Sequence, residues 1–170
     1  TLLGDIRPEE LGVTDCHDHL IRTSGLQARE NPAYLMVDTD RAVQEAEAFA
    51  AAGGRALVDM TPLGAGRDVP KVLQVARRLA GRVHIIQCTG FHKGAVYDQR
   101  GHWAATATPE QIGELLAAEI TQGLDRYSYN GPLVERVGAR AGVIKFGTGY
   151  GTVTPFEQGI IHGAALAQRA

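Results

Sequence analysis

Two histidines one residue apart, His17 and His19, sit in the run Gly12-Val13-Thr14-Asp15-Cys16-His17-Asp18-His19-Leu20. Val13 and Thr14 are β-branched and the turn-formers Pro8 and Gly12 precede them, so residues 12–20 read as a short strand. Side chains at i and i+2 of a strand point the same way. Both imidazoles then share one face, with Asp15 behind them and Asp18 turned away. Two imidazoles on a rigid face can form the first half of a divalent-metal site; the pattern alone also fits a pair of ordinary histidines. Asp15 has two readings as well: a hydrogen bond that orients a ligand imidazole, or one to nearby backbone. Far downstream, Val143-Ile144-Lys145-Phe146 is a buried-strand pattern with a lysine in its middle. Lysine is seldom buried without a partner. Lys145 therefore lies either on the solvent side of an edge strand or against a reacting centre. In the second place burial lowers the amine's pKa, and a neutral amine can take up carbon dioxide. The resulting carbamate is a carboxylate-like group able to bridge two cations.

The elements that must position these residues alternate strand and helix. After a lead-in over 2–11 and the histidine strand, a long loop over 21–38 suits a wall of an active site. A helix is predicted over 40–52, with Asp38, Thr39 and Asp40 as N-cap candidates and Gly53-Gly54 as its stop. Strand two covers 55–61. Asp68 caps a helix over 69–80 with Pro70 in its first turn, and strand three covers 82–89. A third helix starts at Thr108 or Pro109 and runs to about residue 123, strand four covers 140–147, and Thr154-Pro155 opens a last helix. Alternation of this kind implies a parallel sheet with right-handed crossovers.

Composition narrows the function classes. Seventeen Lys and Arg against nineteen Asp and Glu leave a net charge of −2, so no nucleic-acid or polyanion partner is indicated. No apolar run is long enough to span a bilayer and no secretory signal is visible; a cytoplasmic protein without a membrane partner is expected. Cys16 and Cys88 fall in two predicted parallel strands, where reduced buried thiols are the expectation. Neither belongs to a CxxC, which removes a zinc ribbon. Gly147-Thr148-Gly149-Tyr150-Gly151 lacks the Gly-Lys-Ser/Thr ending of a P-loop, and no GxGxxG follows a strand.

Six pieces, in order along nearly the whole chain, resemble the phosphotriesterase family of metal-dependent hydrolases in the amidohydrolase superfamily. They are the histidine strand; Val58-Asp59-Met60-Thr61 with Gly66-Arg67-Asp68; Cys88-Thr89-Gly90-Phe91; Glu119-Ile120 with Gly123-Leu124-Asp125; Arg140-Ala141-Gly142-Val143-Ile144-Lys145; and Thr154-Pro155-Phe156-Glu157. The resemblance implies an α/β fold, a parallel (β/α)8 TIM barrel, of which 1–170 would be the first four βα units. Such barrels run to about 250 residues. It also implies two divalent metal ions, zinc being the expected identity. His17, His19 and Lys145 fall on ligand positions, with Lys145 as the carboxylated bridge and a catalytic residue. The implied reaction is attack on an ester by a hydroxide that bridges the two ions. Two further histidines and an aspartate, expected from strands five, six and eight, have no counterpart within 1–170. The chain is therefore expected to be the N-terminal half of one barrel. A half-barrel that pairs as a homodimer, or serves as a non-catalytic module, is the alternative.

Substrate choice belongs to the loops at the carboxyl ends of the strands. Organophosphate-degrading members carry aromatic, apolar groups just after the Thr-Gly of strand three. This chain has His92 and Lys93 there, with Tyr97 and Arg100 nearby. Such basic and hydroxyl groups suit an anionic or polyhydroxylated small molecule. The resemblance then points to a lactonase opening a sugar or sugar-phosphate lactone, with organophosphate triesters as the other substrate class. A solvated polar loop is the plain reading of the same residues. Trp103 and Tyr150 have a structural reading or a site-lining one, and His84 and His162 are expected away from the chemistry.

Overall fold

The structure, a computed structural model, describes residues 1–97 and 101–170. Four parallel strands, β1 (Thr14–Asp18), β2 (Ala56–Asp59), β3 (His84–Gly90) and β4 (Val143–Lys145), lie side by side in sequence order. The helices between them are α2 (Thr39–Ala51), α3 (Val69–Arg78) and α4 (Pro109–Thr121), and α5 (Pro155–Arg169) follows β4. The parallel sheet is what the alternation predicts, and its four βα units form the half-barrel that the resemblance implies. A short helix, α1 (Leu26–Glu30), lies within the long loop expected over 21–38.

Each long helix begins where a side chain can satisfy its free amides. Asp38 Oδ1 accepts from Asp40 N and Arg41 N at 2.8 and 3.2 Å, and Asp68 Oδ1 accepts from Lys71 N at 3.0 Å. Thr108 and Thr154 close reciprocal capping boxes with Gln111 and Glu157. The outer face of the sheet, through Leu57 and Ile85, packs against Val43 and Ala46 of α2 and Val72, Val75 and Ala76 of α3. Burying each larger side chain of this set contributes about 1.5–3 kcal/mol. A second cluster joins Phe91 and Tyr97, after β3, to Ile112 and Leu116 of α4 and Ile160 and Ala164 of α5. Helices α4 and α5 approach through glycine: a Cβ on Gly163 would stand 2.5 Å from Ile112 Cγ2.

Two expectations change at the sheet's margins. β4, which pairs with β3 alone among the described strands, is regular over three residues rather than eight, and Phe146, expected inside, is 50% exposed. Both cysteines are free, but only Cys88 is buried; Cys16, on the edge strand β1, is exposed. No helix among the described residues is long and apolar enough to cross a membrane.

Candidate active site

The histidine strand is not the regular strand that its spacing predicts. Thr14 and Asp15 pair with Ala56 and Leu57, but Asp18 pairs with Asp59, so β1 holds one extra residue in the His17 segment. Such a bulge re-aims the side chains it carries. The rings of His17 and His19 nevertheless meet edge to face, with centroids 5.6 Å apart and planes at 69°. Backbone bonds fix the bulge. Asp15 Oδ1 accepts from His17 N at 3.0 Å, which is the backbone reading of Asp15, and Asp18 Oδ1 accepts from His19 N at 2.7 Å.

A buried carboxylate then ties the end of β1 to the end of β2. Asp59 accepts from Leu20 N at 3.1 Å through Oδ2 and from Thr61 N at 2.8 Å through Oδ1. Met60 N donates to Asp18 O at 2.8 Å. Thr61, so placed, brings its hydroxyl within 2.8 Å of His19 Nδ1. Lys145 reaches the same place from the far edge of the sheet: its ammonium donates to Met60 O at 2.8 Å, and the residue is only 8% exposed. The two imidazoles and the lysine thus gather over the carboxyl end of β2. Glycine is required beside the lysine. Gly90, at φ +108°, passes so close that a Cβ would stand 1.9 Å from Lys145 O.

The charged groups that act on the imidazoles are cationic. Burial, and then the neighbouring Arg22, Lys145, His17 and His92, push His19 down to about 3. Burial, Lys145, Lys93 and Arg22 push His92 down to about 4. Both rings are therefore neutral near pH 7. Lys145 is lowered as well, by burial first. Arg22 is the cation that sequence reasoning missed. It is 4% exposed, its Nη2 donates to His19 Nδ1 at 3.2 Å, and its guanidinium lies 5.6 Å from the centre of the Tyr34 ring. Only a charge following the apolar Leu20-Ile21 pair could have flagged it. Thr61 and Asp59 were visible as part of a family motif, without their role.

The donor set fits a divalent cation in part. The imidazoles of His17 and His19 offer nitrogen lone pairs, and a carboxylated Lys145 would offer oxygens. Among the described residues no third His, Cys, Asp or Glu joins the pair. A cation taken by His19 through Nε2 would put the ring proton on Nδ1, which would then donate to Thr61 Oγ1 in exchange for the bond it accepts from Arg22.

The loop after β3 stands next to the lysine. Phe91 N donates to Lys145 O at 2.9 Å, and a Cβ on Gly147 would lie 3.1 Å from both His92 Nδ1 and Lys93 N. His92 and Lys93 are half-buried at this mouth. Tyr97, predicted to meet substrate, is placed otherwise. It is 5% exposed, and its hydroxyl accepts from His92 N at 2.7 Å and donates to Leu63 O at 2.8 Å, so it holds the loop from beneath. Arg100, the fourth residue of that group, lies outside the described residues. Trp103 pins the loop further on, its indole N–H donating to Tyr129 O at 3.0 Å. Tyr150 is fully exposed, His162 is exposed on α5, and His84 begins β3 at the opposite end of the sheet.

The remaining motif residues build a buried clamp. Arg67 donates to Glu119 through Nη1 and Nη2 at 2.8 and 2.7 Å, to Ser128 Oγ at 3.0 Å and to Cys88 O at 3.3 Å. Thr89 Oγ1 and Asp125 N donate to the same carboxylate at 2.7 and 3.0 Å. These bonds fasten the loop after β2, the end of β3 and helix α4 together behind the site.

The chain is similar in sequence and in fold to known proteins. The chain is 43% identical over 157 residues to the phospho-furanose lactonase of Mycoplasmopsis agalactiae, covering 92% of this chain and 44% of that protein. It superposes on the crystal structure of an amidohydrolase from Mycoplasma synoviae with a TM-score of 0.95 and 42% identity, over 99% of this chain and 48% of that one. A lactonase from Listeria monocytogenes gives a TM-score of 0.82 and 27% identity, over 99% and 52%. The chain thus spans about half the length of the relatives it matches. The model of the Phosphotriesterase family matches residues 1–170, and the chain belongs to that family.

Proposed function

We propose that the protein hydrolyses a lactone, a phosphorylated furanose lactone first among them, with His17, His19 and a carboxylated Lys145 holding a pair of divalent metals, zinc by preference. The reading rests on one observation: Lys145, from the last strand, bonds to the Met60 carbonyl beside the paired imidazoles of the first. A metal pair held there would supply Lewis-acid polarisation of the carbonyl and a water acidic enough to lose its proton near pH 7. The chain's own residues supply the rest. Thr61 holds His19 in one orientation. Lys93 N–H donates to His92 Nδ1 at 2.7 Å, so the neutral ring keeps its proton on Nε2 as a donor. That donor and the Lys93 ammonium suit a phosphate or hydroxyl-rich substrate better than an apolar triester. In hydrolysis the water oxygen bonds to the lactone carbonyl carbon, the ring C–O bond breaks, and the ring oxygen leaves as a hydroxyl.

The relative named phospho-furanose lactonase supports that substrate class. The test pairs turnover with metal content in the complete protein. It should open five-membered lactones carrying a phosphate faster than the same lactones without one, and faster than triesters. Lys145→Ala should lose bound metal and lower kcat/KM by more than about 100-fold, beyond the loss of an outer hydrogen-bond partner alone. Turnover of triesters but not lactones would reject the substrate class. Full activity in Lys145→Ala would reject the metal site.

A further inference from the structure

Helix α5 is capped by more than a helix needs. Thr154 Oγ1 accepts from Glu157 N at 3.3 Å, and Glu157 Oε2 accepts from Thr154 N at 2.8 Å. The cap of α4 is the same reciprocal pair with Gln111 in the place of Glu157, and one side-chain oxygen suffices there. At α5 the second oxygen is free for other work. Glu157 Oε1 accepts from Gly94 N at 2.9 Å and from Gly149 N at 3.2 Å, and the residue is 3% exposed. Gly94 follows His92 and Lys93 in the loop after β3; Gly149 lies in the loop after β4 and Lys145. The same two segments are already joined nearer the sheet by Phe91 N to Lys145 O at 2.9 Å. They are therefore fastened at both ends of the mouth.

We propose that Glu157 is a positioning residue: its Oε1 latches the loop bearing His92 and Lys93 to the segment after Lys145 and so sets the spacing of these groups across the mouth. The latch requires a carboxylate. Glutamine has one acceptor oxygen, so either the helix cap or the latch would face an NH2 group with an N–H. The Thr154 amide, followed by that of Gly94, holds the carboxyl below its usual range, in keeping with an acceptor on both oxygens.

The kinetic arm of the test rests on the lactonase reading; a second arm does not. In the complete protein, Glu157→Gln should speed amide hydrogen exchange at Gly94 and Gly149 by about tenfold or more, the factor for a lost bond to a charged acceptor. It should raise KM for a phosphorylated lactone by a similar factor, with metal content unchanged. Thr154→Ala, which removes only a cap acceptor, should lower the melting temperature and move neither readout. If the wild type opens no lactone, the lactonase reading fails and the exchange arm alone decides. Amides at Gly94 and Gly149 that are unprotected in the wild type, or no faster in Glu157→Gln, overturn the latch. Faster exchange with an unchanged KM overturns its positioning role.

Discussion

At the scale of single residues the site depends on groups that hold its side chains in place. Thr61 is placed by the Asp59 carboxylate and stands 2.8 Å from His19 Nδ1, so its hydroxyl fixes the ring. Thr61→Val keeps the shape and removes the hydroxyl. It should weaken metal binding by about 10- to 100-fold, as loss of a ligand's outer partner does, read by competition with a chelator. The histidines and the lysine were legible as types at a spacing. Their partners were not, because Thr61 meets His19 across 42 positions of sequence and Lys145 meets Met60 across 85. Tyr97 shows the limit from the other side. A hydroxyl in a loop reads as a substrate contact, yet its ring finds Phe91 at 5.9 Å and Phe156 at 5.7 Å, and both hydrogen bonds go to backbone.

At the scale of elements, most of the pattern was local and could be read. Asp38, Asp68, Thr108 and Thr154 mark helix starts through bonds to amides two or three residues on. The bulge in β1 was hidden, since an extra residue shows only in the register with β2. The lengths of the strands were overestimated for a related reason: hydrophobic runs continue past the last ladder bond, as at Phe146. What joins the elements is the Arg67–Glu119 clamp, and it makes a pH-dependent prediction. Burial alone would raise the Glu119 carboxyl. The Arg67 charge, with bonds from Arg67, Thr89 and the Asp125 amide, outweighs it and holds the group below 4.5. The pair therefore stabilises the fold above the ordinary glutamate range, and that contribution fades as pH falls through the folded-state value. Glu119→Gln should cost at least about 3 kcal/mol near pH 7, the lower end for one broken partner of a buried pair. In urea unfolding from pH 7 to acid, the variant should lack the wild type's loss of stability from this group.

At the scale of the molecule, four βα units bring two distant stretches of sequence to one end of a sheet. Parallel crossovers oblige the carboxyl ends of all four strands to face the same way, and this is why residues in β1 and β4 can share a site. The edges of β1 and β4 pair on one side only, and the chain spans about half the length of its relatives. The central claim is that His17, His19 and Lys145 serve the same ions. A crystal structure of the complete, zinc-loaded protein with anomalous scattering recorded at the zinc edge tests it most directly. The account predicts two peaks over the end of β2, one of them within bonding distance of both imidazoles, and density for a carboxyl group on Lys145 Nζ between the two. An unmodified Lys145 still donating to Met60 O, with zinc elsewhere or bound by the histidines alone, would contradict it.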